Sequence, residues 1–323
     1  MLKISIIIPS FNQGKYLEQT ILSVINQGYS RYELIIIDGA STDNSVEIIK
    51  KYESNLSYWV SEPDKGQADA INKGFKKATG DIFNWLNSDD FLEYGTLREI
   101  GIYFSKNPKK QVLCGYTNCF FDQDKRTSHC YRMGLKRNVM DTILNVQMNQ
   151  PGTFYRTNIV KSLGGVNKSL NYIFDNELWF RYLCKYGIEN IGLSDKIFAH
   201  FRLHDSSKSV HDGYQLFEKE SQAIWKWLAI KYNIPEKIKS LLNQEESSIN
   251  YLSNQWEGTF FDVIQFENYL ASKYMLPLCN LGENYYARNG FIYGIRKRKL
   301  KFSRLTVSVF FKIFIFPGFF KSK

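Results

Sequence analysis

Residues 3–38, KISIIIPSFNQGKYLEQTILSVINQGYSRYELIIID, contain a complete strand–helix–strand pattern. KISIIIPS is a short apolar run rich in β-branched residues, and Pro9 closes it. In the segment that follows, apolar side chains recur every three or four residues, which is the spacing of one helix face. YELIIID is a second apolar run. The stretch therefore predicts two strands with a helix between them.

The same alternation continues to about residue 105. LSYWVSE and DIFNWLN predict two further strands, and GQADAINKGFKKA between them predicts a helix that stops at Gly80. Alternating strands and helices are typical of a parallel sheet covered by helices. We therefore expect an α/β fold in this part of the chain.

The pattern changes after residue 105. QVLCGYTNCFF and TSHCYRM predict strands of a smaller antiparallel unit, FDNELWFRYLCKYG predicts a helix, and DKIFAHFRLH predicts another strand. The sequence from about 210 to 280 is helical in character. We predict the following division: a domain over 1–207 with halves at 1–105 and 106–207, a helical extension over 208–282, and a basic and hydrophobic segment over 283–323.

The net charge of +10 favours phosphate-rich ligands, nucleic acid or an anionic membrane surface as partners. Six of the basic residues lie in RKRKLKFSR, residues 296–304. No nucleic-acid-binding motif occurs elsewhere, so we expect no nucleic acid partner. The five cysteines show no CxxC spacing, which favours a reduced, cytoplasmic setting and argues against a thiolate metal site.

The apolar segment Leu305–Phe320 follows this basic run. It is interrupted by Lys312 and Pro317 and is shorter than the roughly 20 apolar residues that a membrane-spanning helix needs. We predict an interfacial anchor on an anionic membrane surface, which would place the protein on the inner face of the cell membrane. The alternative is a terminal hydrophobic helix that packs on the domain.

Polar residues follow each predicted strand of the first half. Asn12 follows the first strand, Asp38 the second, Asp64 and Asp69 the third, and Asp89-Asp90 the fourth. Ligands of open α/β sheets bind beyond the carboxyl ends of the strands. We therefore expect these clusters to converge at one edge of the sheet, although they are scattered in sequence.

Asp89 and Asp90 are adjacent carboxylates, and their like charges repel each other. A divalent cation such as Mg²⁺ or Mn²⁺ takes oxygen ligands and often bridges to substrate phosphates, so it would relieve this repulsion. The alternative is that Asp89 caps the next helix and Asp90 is solvated, since acidic residues are common at helix starts.

Four motifs occur in the order and spacing of a known family: SIIIPSFNQGKYLEQTILSVINQ, LIIIDGASTDNS, ATGDIFNWLNSDD and FDNELWFR. In them the chain resembles the family 2 glycosyltransferases over residues 3 to about 205. DKGQADAINKG and WLNSDD are similar to bacterial members of polysaccharide and glycan clusters. The resemblance implies a GT-A fold, which is a Rossmann-like, mixed and mainly parallel sheet flanked by helices, here with a helical C-terminal extension.

The resemblance also implies roles for individual residues. Asp38 would bind the base, typically uracil or thymine, and Asp89 would face the ribose. Asp175, at the head of the DNELW helix, would be the general base that deprotonates the acceptor hydroxyl, which implies inversion at the anomeric carbon. The full set of predicted site residues is as follows: Pro9, Phe11, Asn12, Asp38, Asp69 and Asp89 for the nucleotide; Asp90 and His204 for the metal; Asp175 for catalysis; Gln150 and Trp179 for the acceptor.

Several of these assignments leave an alternative open. His204 is equally compatible with a structural role, Gln150 with a turn, and Trp179 with core packing. Residues 1–105 would be the nucleotide-binding half and residues 106–207 the acceptor-binding half.

The chain departs from the family pattern at three positions. The common DDGS is Asp38-Gly39-Ala40-Ser41 here, so only its first carboxylate is present. The common DxDD begins with Asn87, where an acid is usual, and the common ED before the base helix reads Phe174-Asp175. The QxxRW motif of processive synthases is absent, which favours the addition of one sugar per turnover.

The predicted function is therefore an inverting glycosyltransferase that depends on Mg²⁺ or Mn²⁺. It would move a single sugar from a nucleotide-diphosphate sugar, with UDP- or dTDP-sugars favoured, to a glycan or lipid-linked saccharide in cell-surface polysaccharide biosynthesis. Two alternatives remain. One is a nucleotidyltransferase, although SIIIPSFNQGKYL lacks a Gly-rich phosphate loop. The other is a non-catalytic glycan-binding protein on the same fold.

Overall fold

The structure is a computed structural model of the chain. It describes residues 1–205, 207–208, 213–242, 256, 259–274, 278 and 283–297. The chain divides into two compact units, Met1–Phe217 with Ser253–Thr259, and Glu218–Leu252 with Phe260–Lys323. The predicted anchor, Leu305–Phe320, lies outside the described residues.

The described strands and helices alternate through the first hundred residues. The strands are β1 Ile4–Ser10, β2 Tyr32–Asp38, β3 Tyr58–Ser61, β4 Ile82–Trp85, β5 Phe91–Leu92, β6 Val112–Phe121, β7 Thr127–Arg132, β8 Thr153–Arg156 and β9 Ile191–Leu203. The helices are α1 Gly14–Ile25, α2 Ser45–Lys51, α3 Gln67–Lys77, α4 Thr96–Lys106, α5 Val139–Ile143, α6 Thr157–Ser162, α7 Phe174–Tyr186, α8 Gly213–Lys231, α9 Glu236–Lys239, α10 Val263–Lys273 and α11 Asn284–Arg296.

All nine strands belong to one mixed sheet. Its order is β3-β2-β1-β4-β8-β6-β9-β5, and β7 pairs with β6. The strands β3, β2, β1 and β4 are mutually parallel, whereas β8 is antiparallel to β4 and β6. The α/β fold with a mixed sheet is confirmed. The two-residue strand β5, which pairs antiparallel with β9, was not predicted because so short a run carries no periodicity.

The register of the parallel strands places their polar ends side by side. Ser10 at the end of β1 pairs with Asp38 at the end of β2, and Asp38 pairs with Ser61 at the end of β3. Ile7 of β1 pairs with Trp85, the last residue of β4. The loops that follow these four strands therefore leave the sheet at the same edge, as the sequence predicts.

Strand β1 lies at the centre of the core. Each of its residues is buried, because helices cover both faces of the parallel part of the sheet. On one face, Ile4, Ile6 and Ile8 belong to a cluster with Leu17 and Ile21 of α1. Full burial of each such side chain contributes about 1.5–3 kcal/mol to folding, and the rigid sheet this produces positions the strand ends.

The second unit is helical in the part that the structure describes. The Trp225 and Phe266 rings pack with their centroids 5.9 Å apart. A Cβ atom on Gly290 would lie 2.4 Å from the Ala271 carbonyl carbon, so α10 and α11 approach each other at a point where only glycine fits. Within the described residues, none of the helices combines the length and apolar character that a membrane crossing requires.

Candidate active site

The loops after β1 and β2 are joined by hydrogen bonds. The Asn12 backbone N–H donates to Ser41 Oγ at 2.8 Å, and the Thr42 N–H donates to Asn12 Oδ1 at 2.8 Å. Asn12 and Ala40 both have a positive φ, +51° and +64°, which is uncommon for residues other than glycine. The two loops thus form one ordered rim, on which the Phe11 side chain is 60% exposed.

Pro9 and Asp38, both predicted to contact the nucleotide, are buried. Asp38 is 0% exposed, and its carboxylate accepts hydrogen bonds from Ser41 N, Ser41 Oγ and Ser61 Oγ at 2.9, 2.5 and 2.7 Å. These bonds close the turn after β2 and tie it to β3. The prediction that the Asp38 side chain binds the base is therefore corrected, because its acceptors are used inside the protein.

The acidic pair after β4 separates into one buried and one accessible carboxylate. Asp90 is 1% exposed, and its carboxylate accepts from the Arg202 backbone N–H at 3.0 Å and from Asn87 Nδ2 at 3.3 Å. Burial, together with the negative charge of Asp89, raises the pKa of Asp90 well above its ordinary value. In the conformation described, the Asp90 carboxylate serves these two protein donors, and its metal role stays a prediction.

Asp89 turns the other way and meets His204. Its Oδ2 lies 3.0 Å from His204 Nε2, and the imidazole packs on the Tyr16 ring with the centroids 4.8 Å apart. The structure thus brings His204 to the acidic pair, as the predicted metal role requires, but beside Asp89 rather than Asp90. Asp89, which was predicted to face the ribose, is therefore the acid that contacts His204.

Asn87, where the family usually has an acid, has a physical explanation. Its Nδ2 donates to Asp90, and its Oδ1 accepts from Gln67 Nε2 at 2.7 Å. A carboxylate at this position has no proton to donate to Asp90, and it would add a second negative charge beside a buried one. The amide therefore joins the buried acid to the first residue of α3.

Arg202 supports the acidic pair from behind, a role that the sequence did not reveal. Its side chain is nearly buried, and Nε donates to the Asp89 carbonyl at 2.9 Å while Nη1 donates to Asp122 Oδ1 at 2.7 Å. Its Nη2 donates to Gln19 Oε1 at 2.6 Å. Each nitrogen of the guanidinium thus donates to a protein oxygen.

Asp122 fixes the position of that guanidinium. It also accepts from Lys125 Nζ at 2.7 Å, Lys15 Nζ at 3.0 Å and Tyr16 OH at 2.9 Å. Burial acts to raise the pKa of Asp122, but the hydrogen bonds from Lys125, Lys15, Arg202 and Tyr16 outweigh it and hold the pKa well below its usual range. The sequence offered no signal for this residue, since it lies in an ordinary hairpin.

Asp175 is the second residue of α7 and is half-buried. Its Oδ1 accepts from the Asn176 N–H at 2.8 Å. The preceding Phe174 ring packs against Trp85 of β4 with the centroids 6.1 Å apart. Burial raises the pKa of Tyr131, and electrostatic interactions with Cys119, Asp175 and Asp90 add to that rise.

Helix α7 is held in place by a buried ion pair. Arg181, 0% exposed, donates from Nε to Glu177 Oε1 at 2.7 Å and from Nη2 to the Gly165 carbonyl at 2.8 Å. Trp256 Nε1 donates to the same Glu177 oxygen at 3.1 Å. These contacts attach the helix to the turn before it, which makes the direction of its first turn well defined.

A chain of polar contacts connects the loop before α7 to the start of α3. Lys208 Nζ donates to the Asn171 carbonyl at 3.0 Å and to Gln67 Oε1 at 3.2 Å. Gln67 in turn reaches Asn87. The segments that carry Asp175 and the acidic pair are therefore linked, although they are more than 80 positions apart in the sequence.

The two predicted acceptor contacts are wrong for the conformation described. Gln150 is 6% exposed, and its Nε2 donates to Asn84 Oδ1 at 2.9 Å and to the Trp85 carbonyl at 2.7 Å. Trp179 is 0% exposed and stacks on Tyr182 with ring centroids 5.4 Å apart. Both side chains are parts of the core, so neither presents a surface to a sugar.

Asp69, predicted as a nucleotide contact, is almost buried on α3. It lies 3.3 Å from Lys168 Nζ and accepts from the Lys65 N–H at 3.3 Å. Burial acts to raise the pKa of Asp69, but these partners lower it on balance. The carboxylate therefore orders the start of α3 and joins it to the loop that carries Lys168.

The donor set at the strand ends fits a divalent cation only in part. Within the described residues, no cluster of three or more histidine, cysteine, aspartate or glutamate side chains is arranged to bind a metal. Asp89 and His204 supply two donors. Mg²⁺ is commonly held by one or two carboxylates together with substrate phosphates and water, so a two-donor protein site suits a cation that arrives with a diphosphate.

Comparison with known proteins identifies the family that the chain resembles. Residues 5–164 match the family model for glycosyl transferase family 2. A glycosyltransferase of Rickettsia typhi is 25% identical over 283 residues, which cover 85% of this chain and 83% of that protein. A glycosyltransferase of Haemophilus influenzae is 45% identical over 119 residues, which cover 36% of this chain and 48% of that protein.

The fold is similar to that of a solved glycosyltransferase. The crystal structure of Staphylococcus aureus TarS 1–349 in complex with UDP-GlcNAc matches with a TM-score of 0.54 at 15% identity, covering 94% of this chain and 93% of that one. At this identity the likeness concerns the fold, and the predicted GT-A fold is confirmed. The match of residues 5–164 to this family model shows that the chain belongs to glycosyltransferase family 2.

Proposed function

We propose that the protein transfers one sugar from a UDP- or dTDP-sugar to a hydroxyl of a glycan or lipid-linked saccharide, with inversion at the anomeric carbon. The observation that carries this proposal is the contact of Asp89 with His204 beyond the carboxyl end of β4. Asp175 follows Phe174, whose ring packs on Trp85, the last residue of β4. The nucleotide would lie over the rim formed by Phe11 and Asn12.

Asp89 and His204 would hold Mg²⁺ or Mn²⁺, in place of the pair Asp90 and His204 expected from sequence. When bound, the cation supplies positive charge beside the diphosphate leaving group. Arg202 and Asp122 would keep the Asp89 backbone in place, since Arg202 Nε bonds the Asp89 carbonyl at 2.9 Å.

Asp175 would act as general base. One oxygen is oriented by the Asn176 N–H, and the rigid first turn of α7 directs the carboxylate. It would accept the proton of the acceptor hydroxyl as the oxygen attacks the anomeric carbon and the bond to the diphosphate breaks. Because attack and departure occur on opposite faces, the product has the inverted anomeric configuration.

The acceptor half would be residues 106–207 and the nucleotide half residues 1–105. A relative is named poly(ribitol-phosphate) β-N-acetylglucosaminyltransferase TarS, so by its name it transfers N-acetylglucosamine to poly(ribitol-phosphate); it is 28% identical over 118 residues, which cover 35% of this chain and 21% of that protein. This supports a glycan acceptor in cell-surface polysaccharide biosynthesis for the present chain.

Association with an anionic membrane surface is part of the proposal. Its support is the charge pattern: Arg296 and Lys297 are exposed at the end of α11, and the sequence continues with further basic residues. Exposed Ile292 and Ile295 lie on the same helix. A liposome that contains anionic lipid should retain the full chain, and retention equal to that on neutral liposomes would contradict the membrane role.

The function is tested by incubating the full chain with UDP- and dTDP-sugars, Mn²⁺ and a panel of saccharide acceptors. Asp175→Asn should lower turnover about 10²–10⁴-fold, the usual contribution of a general base, while nucleotide binding stays intact. Release of pyrophosphate from a nucleoside triphosphate would instead indicate a nucleotidyltransferase. Full turnover by Asp175→Asn would sink the assignment of the base.

A further inference from the structure

We propose that Asp64, in the loop after β3, supplies the carboxylate that recognises the nucleobase of the donor. The inference rests on the proposed function, since it identifies a specificity-determining residue within the same site. It replaces Asp38, whose carboxylate is enclosed by Ser41 and Ser61 and is 0% exposed.

The position next to Asp38 is Gly39, and two side chains converge on it. A Cβ atom built on Gly39 would lie 2.9 Å from Asp64 Oδ2 and 3.3 Å from Phe11 Cδ2. The absence of a side chain at Gly39 thus lets the Asp64 carboxylate and the Phe11 ring approach its backbone closely. Asp64, from the loop after β3, therefore places a carboxylate beside Gly39, where the loop after β2 has no second acid.

Asp64 has a defined orientation and an available acceptor. Its Oδ1 accepts the Gly66 backbone N–H at 2.8 Å, at the start of α3. No hydrogen bond from the described residues reaches Oδ2, the oxygen that borders Gly39. The carboxylate is therefore held by one oxygen and presents the other beside an exposed aromatic ring.

This pair of groups suits one chemical class of ligand. An aromatic face stabilises a stacked base by about 1–3 kcal/mol whatever the base is. A carboxylate, which only accepts, selects bases with an N–H in the ring at the pairing edge, namely uracil, thymine and guanine. Cytosine and adenine place an acceptor nitrogen there, so their nitrogen would face the carboxylate without a proton between them.

The substitution Asp64→Asn provides a specific test. Because the Gly66 N–H requires an acceptor, the amide oxygen of the variant should take the place of Oδ1, which leaves the NH₂ group in the place of Oδ2. The variant thus exchanges an acceptor for a donor. We expect the affinity for UDP to fall about 10- to 100-fold, as for loss of a charged hydrogen bond, and the affinity for CDP to rise relative to UDP.

The measurement is calorimetric binding of UDP, dTDP, GDP and CDP to the full chain with Mn²⁺. Glu62→Gln is a matched control, because Glu62 lies in the same loop and pairs with Lys73 at 2.8 Å instead of bordering Gly39. It should leave the ratio of UDP to CDP affinity unchanged. Thermal melting of each variant checks that the fold is intact.

The outcomes separate this inference from the proposed function. If the unmodified chain transfers sugar from a UDP- or dTDP-sugar but Asp64→Asn keeps the same UDP-to-CDP ratio, the inference is overturned and the function stands. An equal loss of UDP and CDP affinity also overturns it, because a change in the loop alone would have that effect. If the unmodified chain binds none of the four nucleotides, both fail.

Discussion

The ends of β2 and β4 both carry a buried aspartate, and they differ in the residue beside it. Asp38 and Asp90 are each enclosed by hydrogen-bond donors and fix a turn. After β4 the neighbour is Asp89, which reaches His204. After β2 the neighbour is Gly39, which Asp64 from another loop approaches closely.

From this difference we infer that the buried acid at each strand end stabilises the fold and that ligand contact belongs to an acid beside it. After β4 the neighbour of the buried Asp90 is Asp89, which is itself an acid. After β2 the neighbour of Asp38 is Gly39, and the nearby acid is Asp64 from the loop after β3. Hydrogen-bond donors that enclose a carboxylate stabilise it. The acceptor sites that they occupy cannot also accept a hydrogen bond from a ligand. Substitutions at four positions would break or sharpen this comparison.

The largest effect is expected for the accessible acid at β4. Asp89→Ala should lower metal-dependent turnover about 100-fold or more, because one of two protein donors to the cation is lost, and should leave the unfolding free energy nearly unchanged. Mn²⁺ titrations of activity and urea unfolding measure the two quantities. A variant that keeps full activity at the same Mn²⁺ concentration would show that Asp89 does not serve the cation.

A smaller effect concerns the opposite end of β2, where Glu33 is buried. Burial acts to raise the pKa of Glu33, but hydrogen bonds from Lys3, Ser5 and Thr79 outweigh it and lower the pKa to about 2. Because the folded pKa lies below the unfolded value, its stabilisation is present at neutral pH and is lost as the pH falls from about 4.5 to about 2.

Glu33→Gln should therefore cost up to about 3 kcal/mol at pH 7, from a shift of this size, and should flatten the stability profile between pH 5 and about 2. Unfolding by urea at several pH values measures both effects. Turnover of the folded variant should match that of the unmodified chain, since Glu33 is far along β2 from the strand end. If the stability of the variant fell with pH as steeply as that of the unmodified chain, Glu33 would not be the source of this pH dependence.

The buried acid at β4 should affect stability more than metal binding. Asp90→Ala leaves the Arg202 N–H and Asn87 Nδ2 without their acceptor, which costs about 1–3 kcal/mol. Asp90→Asn keeps an acceptor oxygen and should cost less. If Asp90→Asn instead abolished Mn²⁺-dependent binding of UDP with no loss of stability, Asp90 would be the cation ligand after all.

The smallest effect is expected at Asn87. Asn87→Asp removes the donor to Asp90 and adds a charge next to it, so we expect a loss of about 1 kcal/mol in unfolding free energy. Because this loss comes from charge, it should shrink at a pH low enough to protonate the new acid. Chemical unfolding at pH 7 and pH 4 provides the comparison, and an unchanged free energy at both would contradict the explanation given for the amide.

Much of the fold could be predicted because strand and helix periodicity is a local property. The βαβ succession through β4 and the convergence of the strand ends follow from side-chain spacing and from the rule for parallel sheets. The site was predicted as a region, but Gln150 and Trp179 were misplaced. Their burial depends on packing against Asn84, Trp85 and Tyr182, which residue type does not reveal.

The sequence by itself determined the order of the elements and the meeting of the strand ends at one edge of the sheet, since each rests on neighbouring residues. Only the tertiary structure decided which acid of each strand end is buried. Asp90 is enclosed by Arg202 and Asp89 is met by His204, partners 112 and 115 positions away. Burial and charge pairing depend on such distant contacts, so adjacent aspartates with the same chemistry take different roles.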